Sequence, residues 1–188
     1  MCRMHRWNAG AAALLTLMLA GCGSSLSRSS TSASPAPHSA GAPHAGGCAG
    51  SQLTLSYSGT EGATGHLELH LTVRNSSRTA CLLRGYPGAR LLNAAGRPLP
   101  LHVARRGGFF PDTQSKPRAV SLKAGASAHF GISLVTNNEY KGARVCRTAA
   151  AALLSAPGSR SHWHRVSLRS GPRIAPCGNQ LVVSPIHA

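Results

Sequence analysis

The side chains able to do acid–base or metal chemistry are ten histidines and only four acids. The acids are Glu61, Glu68, Asp112 and Glu139, far apart in sequence. Paired-carboxylate hydrolysis would need two of them to converge within about 5–10 Å. The segment Gly125-Ala126-Ser127-Ala128-His129 lacks the second glycine of a G-x-S-x-G elbow. A Ser–His–Asp set could be assembled only through Asp112, with nothing local to support it. No catalytic residue is assigned on these grounds, and a hydrolase is the remotest function considered.

His66, Glu68 and His70 alternate with Leu67, Leu69 and Leu71, and His162 and His164 share the same spacing of two. Mixed imidazole and carboxylate clusters suit transition metals. On a strand, however, residues four apart are separated by about 13 Å, too far for His66 and His70 to share one ion without a bulge. The leucine-bearing face is the core face, so the polar face is expected in water. No metal ligand and no cofactor are assigned, and a metal- or small-ligand-binding protein is the alternative function.

The most distinctive loop is Arg105-Arg106-Gly107-Gly108-Phe109-Phe110-Pro111. Adjacent residues of an extended segment point opposite ways, so one phenylalanine is expected to plug the core and the other to be exposed. Exposed aromatics beside arginine are common binding anchors, which makes Arg105, Arg106, Phe109 and Phe110 a candidate binding loop. Tyr86 and Trp163 are assigned to a turn and to the core.

The N-terminus sets the compartment. Arg3 and Arg6 precede an apolar run from Ala9 to Leu19, then Ala20, Gly21 and Cys22. A basic start, a short apolar core and a small-residue cleavage site make a secretory signal. The run is too short to span roughly 30 Å of hydrocarbon as a permanent helix. Leu19-Ala20-Gly21-Cys22 resembles the lipobox of bacterial lipoproteins, in which the cysteine is acylated and becomes the new N-terminus. Residues 1–21 are therefore expected to be a signal peptide. Cys22 is the expected lipidation site, anchoring the chain to the outer, extracytoplasmic face of the cell membrane. Residues 23–47 are nearly all Gly, Ser, Ala, Pro and Thr, so 22–47 reads as lipidated cysteine plus a disordered tether.

With Cys2 and Cys22 set aside, Cys48, Cys81, Cys146 and Cys177 remain, an even number in an oxidising compartment. No C-x-x-C spacing occurs among them. Two structural disulfides are expected; three connectivities are possible, and pairing sequence neighbours favours Cys48–Cys81 and Cys146–Cys177.

The chain carries 20 basic residues against 4 acids, and the part from 48 to 188 carries 17 against the same 4. A cytoplasmic protein of this charge would suggest nucleic acid; export removes that partner. Anionic lipid, an acidic wall polymer or an envelope protein is expected instead. Arg78, Arg97, Arg105, Arg106, Lys116, Arg118 and Lys141 lie at apparent turns and are expected at the surface.

Alternation of apolar and polar residues marks strands at Leu53–Tyr57, Leu67–Val73, Leu82–Leu92 around Tyr86-Pro87-Gly88, Leu99–Val103, Ala119–Leu122, Ala128–Thr136, Trp163–Arg169 and Gln180–Pro185. Ser58-Gly59, Asn75-Ser76-Ser77 and Ala124-Gly125 are among the turn signals. The alanine-rich Thr148–Leu154 is the one stretch with helical propensity, although a strand is open there. About seven to nine strands predict an all-β domain over 48–188, an immunoglobulin-like β-sandwich with two disulfides.

The stretch from Thr72 to Gly88, with Cys81-Leu82-Leu83-Arg84-Gly85-Tyr86-Pro87-Gly88 at its end, resembles the signature of an actinobacterial secreted family known as domain of unknown function 4232. Leu122–Ala128 and Cys177–Ile186 match the same pattern. The resemblance covers 48–188 and implies a β-sandwich in lipoproteins and secreted proteins; it implies no activity. The leading expectation is a non-catalytic, membrane-anchored binding module.

Overall fold

Alternating side chains on short strands need a partner layer for their apolar face, and here two layers supply it to each other. The computed structural model describes residues 46–137 and 146–188. The signal segment, Cys22, the tether before Gly46, Glu139 and Lys141 lie outside the described residues. Ten strands are present among the described residues: β1 Leu53–Ala63, β2 His66–Asn75, β3 Cys81–Arg84, β4 Gly88–Leu92, β5 His102–Ala104, β6 Ala119–Leu122, β7 Ser127–Val135, β8 Ala151–Ser155, β9 His164–Ser167 and β10 Gln180–Val183. They form a five-stranded sheet in the order β1-β2-β7-β10-β5, a pair β3-β6 and a three-stranded sheet β4-β8-β9. The pairs are antiparallel except β10 with β5. The domain is all-β, a sandwich-type arrangement compatible with an immunoglobulin-like one.

One core joins the three sheets. Leu69, Leu71 and Val73 of β2, Phe130, Ile132 and Leu134 of β7, and Leu181 and Val183 of β10 contribute from the large sheet. Leu83, Leu91, Leu122, Leu154 and Val166 contribute from the smaller two. The period of two in these strands sets which residues enter that core.

Two disulfides, Cys48–Cys81 and Cys146–Cys177, are formed, the pairings favoured by sequence proximity. The first ties the start of the domain to β3, where Cys48 also donates its backbone N–H to Leu82. The turn Asn75-Ser76-Ser77 is held by a buried amide: Asn75 Nδ2 donates to the carbonyls of Thr79, Leu122 and Lys123. Its Oδ1 accepts from Ser77 N and Oγ.

Two expectations are corrected, and the alternative left open for the alanine-rich stretch is decided. Ser58-Gly59 does not end the first strand; a bulge between Tyr57 and Gly59 lets β1 continue to Ala63. The turn falls instead at Thr64-Gly65, both at positive φ (49° and 76°), as a two-residue hairpin of the I′ kind requires. The alanine-rich stretch yields β8, because sheet pairing with both β4 and β9 overrides helical propensity. The described residues hold ten strands rather than seven to nine.

Candidate functional sites

Two chemically distinct places emerge, and the Arg105–Pro111 loop contributes to both. On one side, Arg105 reaches across the face of Tyr86, its guanidinium carbon 5.6 Å from the ring centroid. Arg90 of β4 lies over Trp163 at 4.9 Å. Trp163 donates its indole N–H to the carbonyl of Arg160 at 3.3 Å. Tyr86, Arg90, Arg105, Arg160 and Trp163 line one open cleft of about 700 Å³, floored by apolar residues that include Leu99 and Leu181. None of the described residues lining it is Asp, Glu or His.

The Gly85-Tyr86-Pro87-Gly88 block builds that wall. Gly85 takes φ +110° to turn the chain out of β3. A Cβ on Gly88 would meet Trp163 and Ser155, so only glycine lets the indole pack against β4. Tyr86 and Trp163 are half-buried and line the cleft. Tyr86 sits in the turn between β3 and β4, as expected. Trp163 lies outside the main core cluster, which corrects its assignment to the core. A large aromatic read from sequence as core filler can equally be a wall when its polar edge needs water.

On the other side, Phe109 and Phe110 fold over the outer, polar face of the large sheet. Phe110 is buried (3 % exposed) and Phe109 exposed (48 %), so one ring is buried and one is not. Phe110 lies outside the main core cluster, however. The Phe109 ring stacks on His66, centroids 4.4 Å apart and planes within 9°. The helical turn Pro111–Gln114 packs against β7. Two hydrogen bonds of 2.6 Å fix the loop: Thr113 Oγ1 to the Phe110 carbonyl and Gln114 Nε2 to the Gly108 carbonyl. The glycine pair is thus not a free hinge, since Gly108 is buried against Thr113. Arg106 is exposed and lies apart from both constellations.

This cover changes the status of the carboxylates. Alternation along β2 predicts a solvated polar face; instead Glu68 is buried to 3 % exposure. Glu68, Ser133 and Val182 form one row across β2, β7 and β10, and all three are buried. The Glu68 carboxyl occupies the space that a Cβ on Gly131 would need. Its Oε1 has no hydrogen-bond partner. Burial first, then the nearby charges of Asp112 and Glu61, push the Glu68 carboxyl up to about 7.

Glu61, left at a distance by the sequence, is the direct cross-strand partner of Glu68. One ligand atom each from Glu61, Glu68 and His70 lie within 4.8 Å of one another. His70 Nε2 is 3.7 Å from Glu61 Oε2, and Asp112 Oδ2 is 3.4 Å from His187 Nε2. Three of the four acids in a strongly basic chain therefore share one face. The sequence signal that could have found Glu61 is Thr64-Gly65: a hairpin turn there makes Glu61 and Glu68 opposite partners by counting outward. The grouped ligand atoms are those of Glu61, Glu68 and His70, while the His66 ring stacks on Phe109. His162 and His164 pair elsewhere, ring centroids 4.9 Å apart.

Arg78, Arg97, Arg105, Arg106, Lys116 and Arg118 are all exposed, so the expected positive surface is present among the described residues. No curated protein and no solved structure matches the chain. A family model does match, over residues 48–187, nearly the whole span of strands, disulfides and both constellations. The chain belongs to the family described as Domain of unknown function (DUF4232).

Proposed function

We propose that this protein is a lipid-anchored, extracytoplasmic binding module whose arginine–aromatic cleft holds a phosphate-bearing anionic ligand. The observation that carries this reading is the convergence of Arg90, Arg105 and Arg160 with Tyr86 and Trp163 around one open cleft free of described acids. Guanidinium groups bind phosphate with a planar, two-toothed geometry, and their stacking on aromatic rings holds them ready. A volume of about 700 Å³ falls in the range of small-molecule sites, about 300–1,000 Å³. The lining supplies cations and ring faces rather than a paired acid and base, which favours holding a ligand over transforming it.

The address rests on Leu19-Ala20-Gly21-Cys22 and agrees with two disulfides in the domain, which persist in oxidising compartments. Acylation of Cys22 would keep the cleft near anionic headgroups and wall polymers. Mass spectrometry of the mature protein tests this part: an acylated Cys22 at the N-terminus is expected, and a soluble product starting elsewhere would contradict it.

The ligand class is tested with short polyglycerol phosphate and, separately, with anionic and neutral vesicles. Tight binding of the oligomer indicates a wall polymer; preference for anionic vesicles indicates headgroups. Replacing Arg90 and Arg160 together with Gln is expected to weaken the preferred probe at least tenfold. Equal binding by wild type and the double variant would remove the cleft from the account.

A further inference from the structure

The acids of this chain are too few and too concentrated to be a solvated face. Among the described residues Glu61, Glu68 and Asp112 gather beside His70 and His187, in a chain with 20 basic residues. Glu68 is the telling member: it is almost fully buried, and its Oε1 meets no donor. A buried carboxylate without a partner is strongly disfavoured. What the neighbours offer instead is more negative charge and an imidazole.

We propose that Glu61, Glu68 and His70 form a binding site for a divalent transition-metal ion of the zinc class. Two carboxylate oxygens and one imidazole nitrogen are a donor set suited to Zn²⁺ and Mn²⁺, with Zn²⁺ the tighter binder. Zn–N and Zn–O distances are about 2.0–2.2 Å, so ligand atoms around a tetrahedral ion lie about 3.3–3.6 Å apart. The present spread of up to 4.8 Å closes with an inward side-chain shift of roughly 1–1.5 Å. Glu61 and His70 can make it, because their side chains are 63 % and 40 % exposed, while Glu68 is fixed against Gly131. Their outward exposure leaves the fourth position to water or to a ligand from outside. Asp112 adds negative potential without being a ligand.

The cross-strand geometry explains why one ion can be reached. The bulge at Tyr57/Gly59 carries β1 far enough to set Glu61 opposite Glu68 and Gly59 opposite His70. The site is separate from the arginine cleft, and neither proposal depends on the other.

The test is calorimetric titration of the purified full-length chain with zinc sulfate at pH 7.5, alongside E61Q, E68Q and a H162A/H164A control. Wild type and the control are expected to bind one Zn²⁺ more per chain than either glutamate variant, or to bind it at least tenfold more tightly. Glu61 is exposed, so E61Q reads coordination rather than core packing even should E68Q lower the fold's stability. Zinc binding that is unchanged in E61Q, or absent from wild type, overturns the site. Loss in H162A/H164A with E61Q unaffected would place the ion on the other histidine pair and also overturn it.

Discussion

At the scale of single residues, Glu68 and Asn75 show how differently a buried polar group can be treated. Asn75 satisfies both ends of its amide with five contacts. Asn75→Ala removes a donor from three carbonyls, although those of Thr79 and Lys123 keep a second one. It is expected to cost about 1–3 kcal/mol, read as a lower denaturation midpoint at unchanged slope. Glu68 has no such compensation. Its carboxyl, raised from 4.5 to about 7, stays protonated in the fold where the unfolded chain would release the proton. The linked stability is fully present below about pH 4.5 and is lost as pH rises through about 7. Chelator-treated wild type should therefore lose stability across that interval. Glu68→Gln should flatten the profile and be the more stable of the two at pH 8. Urea denaturation at pH 4.5, 6 and 8 checks this; equal slopes in both proteins would contradict it.

At the scale of elements, the β1–β2 hairpin controls what the sequence could reveal. Hydrophobic alternation made the strands and the core face legible, and sequence proximity the disulfide pairing, because period and chain separation are local signals. The bulge was not legible: Ser58-Gly59 has the composition of a turn, and only pairing with β2 shows that the chain runs on to Ala63. That slip hid Glu61 and left β2's polar face looking solvated. The cover by Phe109, Phe110 and Pro111–Gln114 was hidden for a related reason, since a loop's destination is a long-range fact. The true turn carries a cost of its own. Thr64 holds φ +49°, a conformation β-branched residues adopt reluctantly, so Thr64→Asn is expected to stabilise by about 0.5–1 kcal/mol. A raised thermal midpoint with unchanged disulfides is the result to look for.

At the scale of the whole molecule, staples and charge work together. The disulfides close spans of 33 and 31 residues, each worth about 3–4 kcal/mol in the chain-entropy model. Reduction should therefore lower the denaturation midpoint sharply, with Cys48→Ala/Cys81→Ala measured separately to apportion the loss. Charge is distributed unevenly: cations spread over the surface and line the cleft, while the described acids collect on the opposite kind of site. This segregation was only half legible, because composition gives the sum of charges and the fold decides where they meet.

The central claim, that the arginine–aromatic cleft holds a phosphate-bearing ligand, is tested most directly by its salt dependence. The full-length protein is titrated with polyglycerol phosphate at about 50 and 200 mM salt, where screening lengths differ about twofold. Wild type is expected to bind more weakly at the higher salt, with a steeper dependence than R90Q/R160Q. Binding indifferent to salt, or a salt dependence identical in the double variant, would contradict the account.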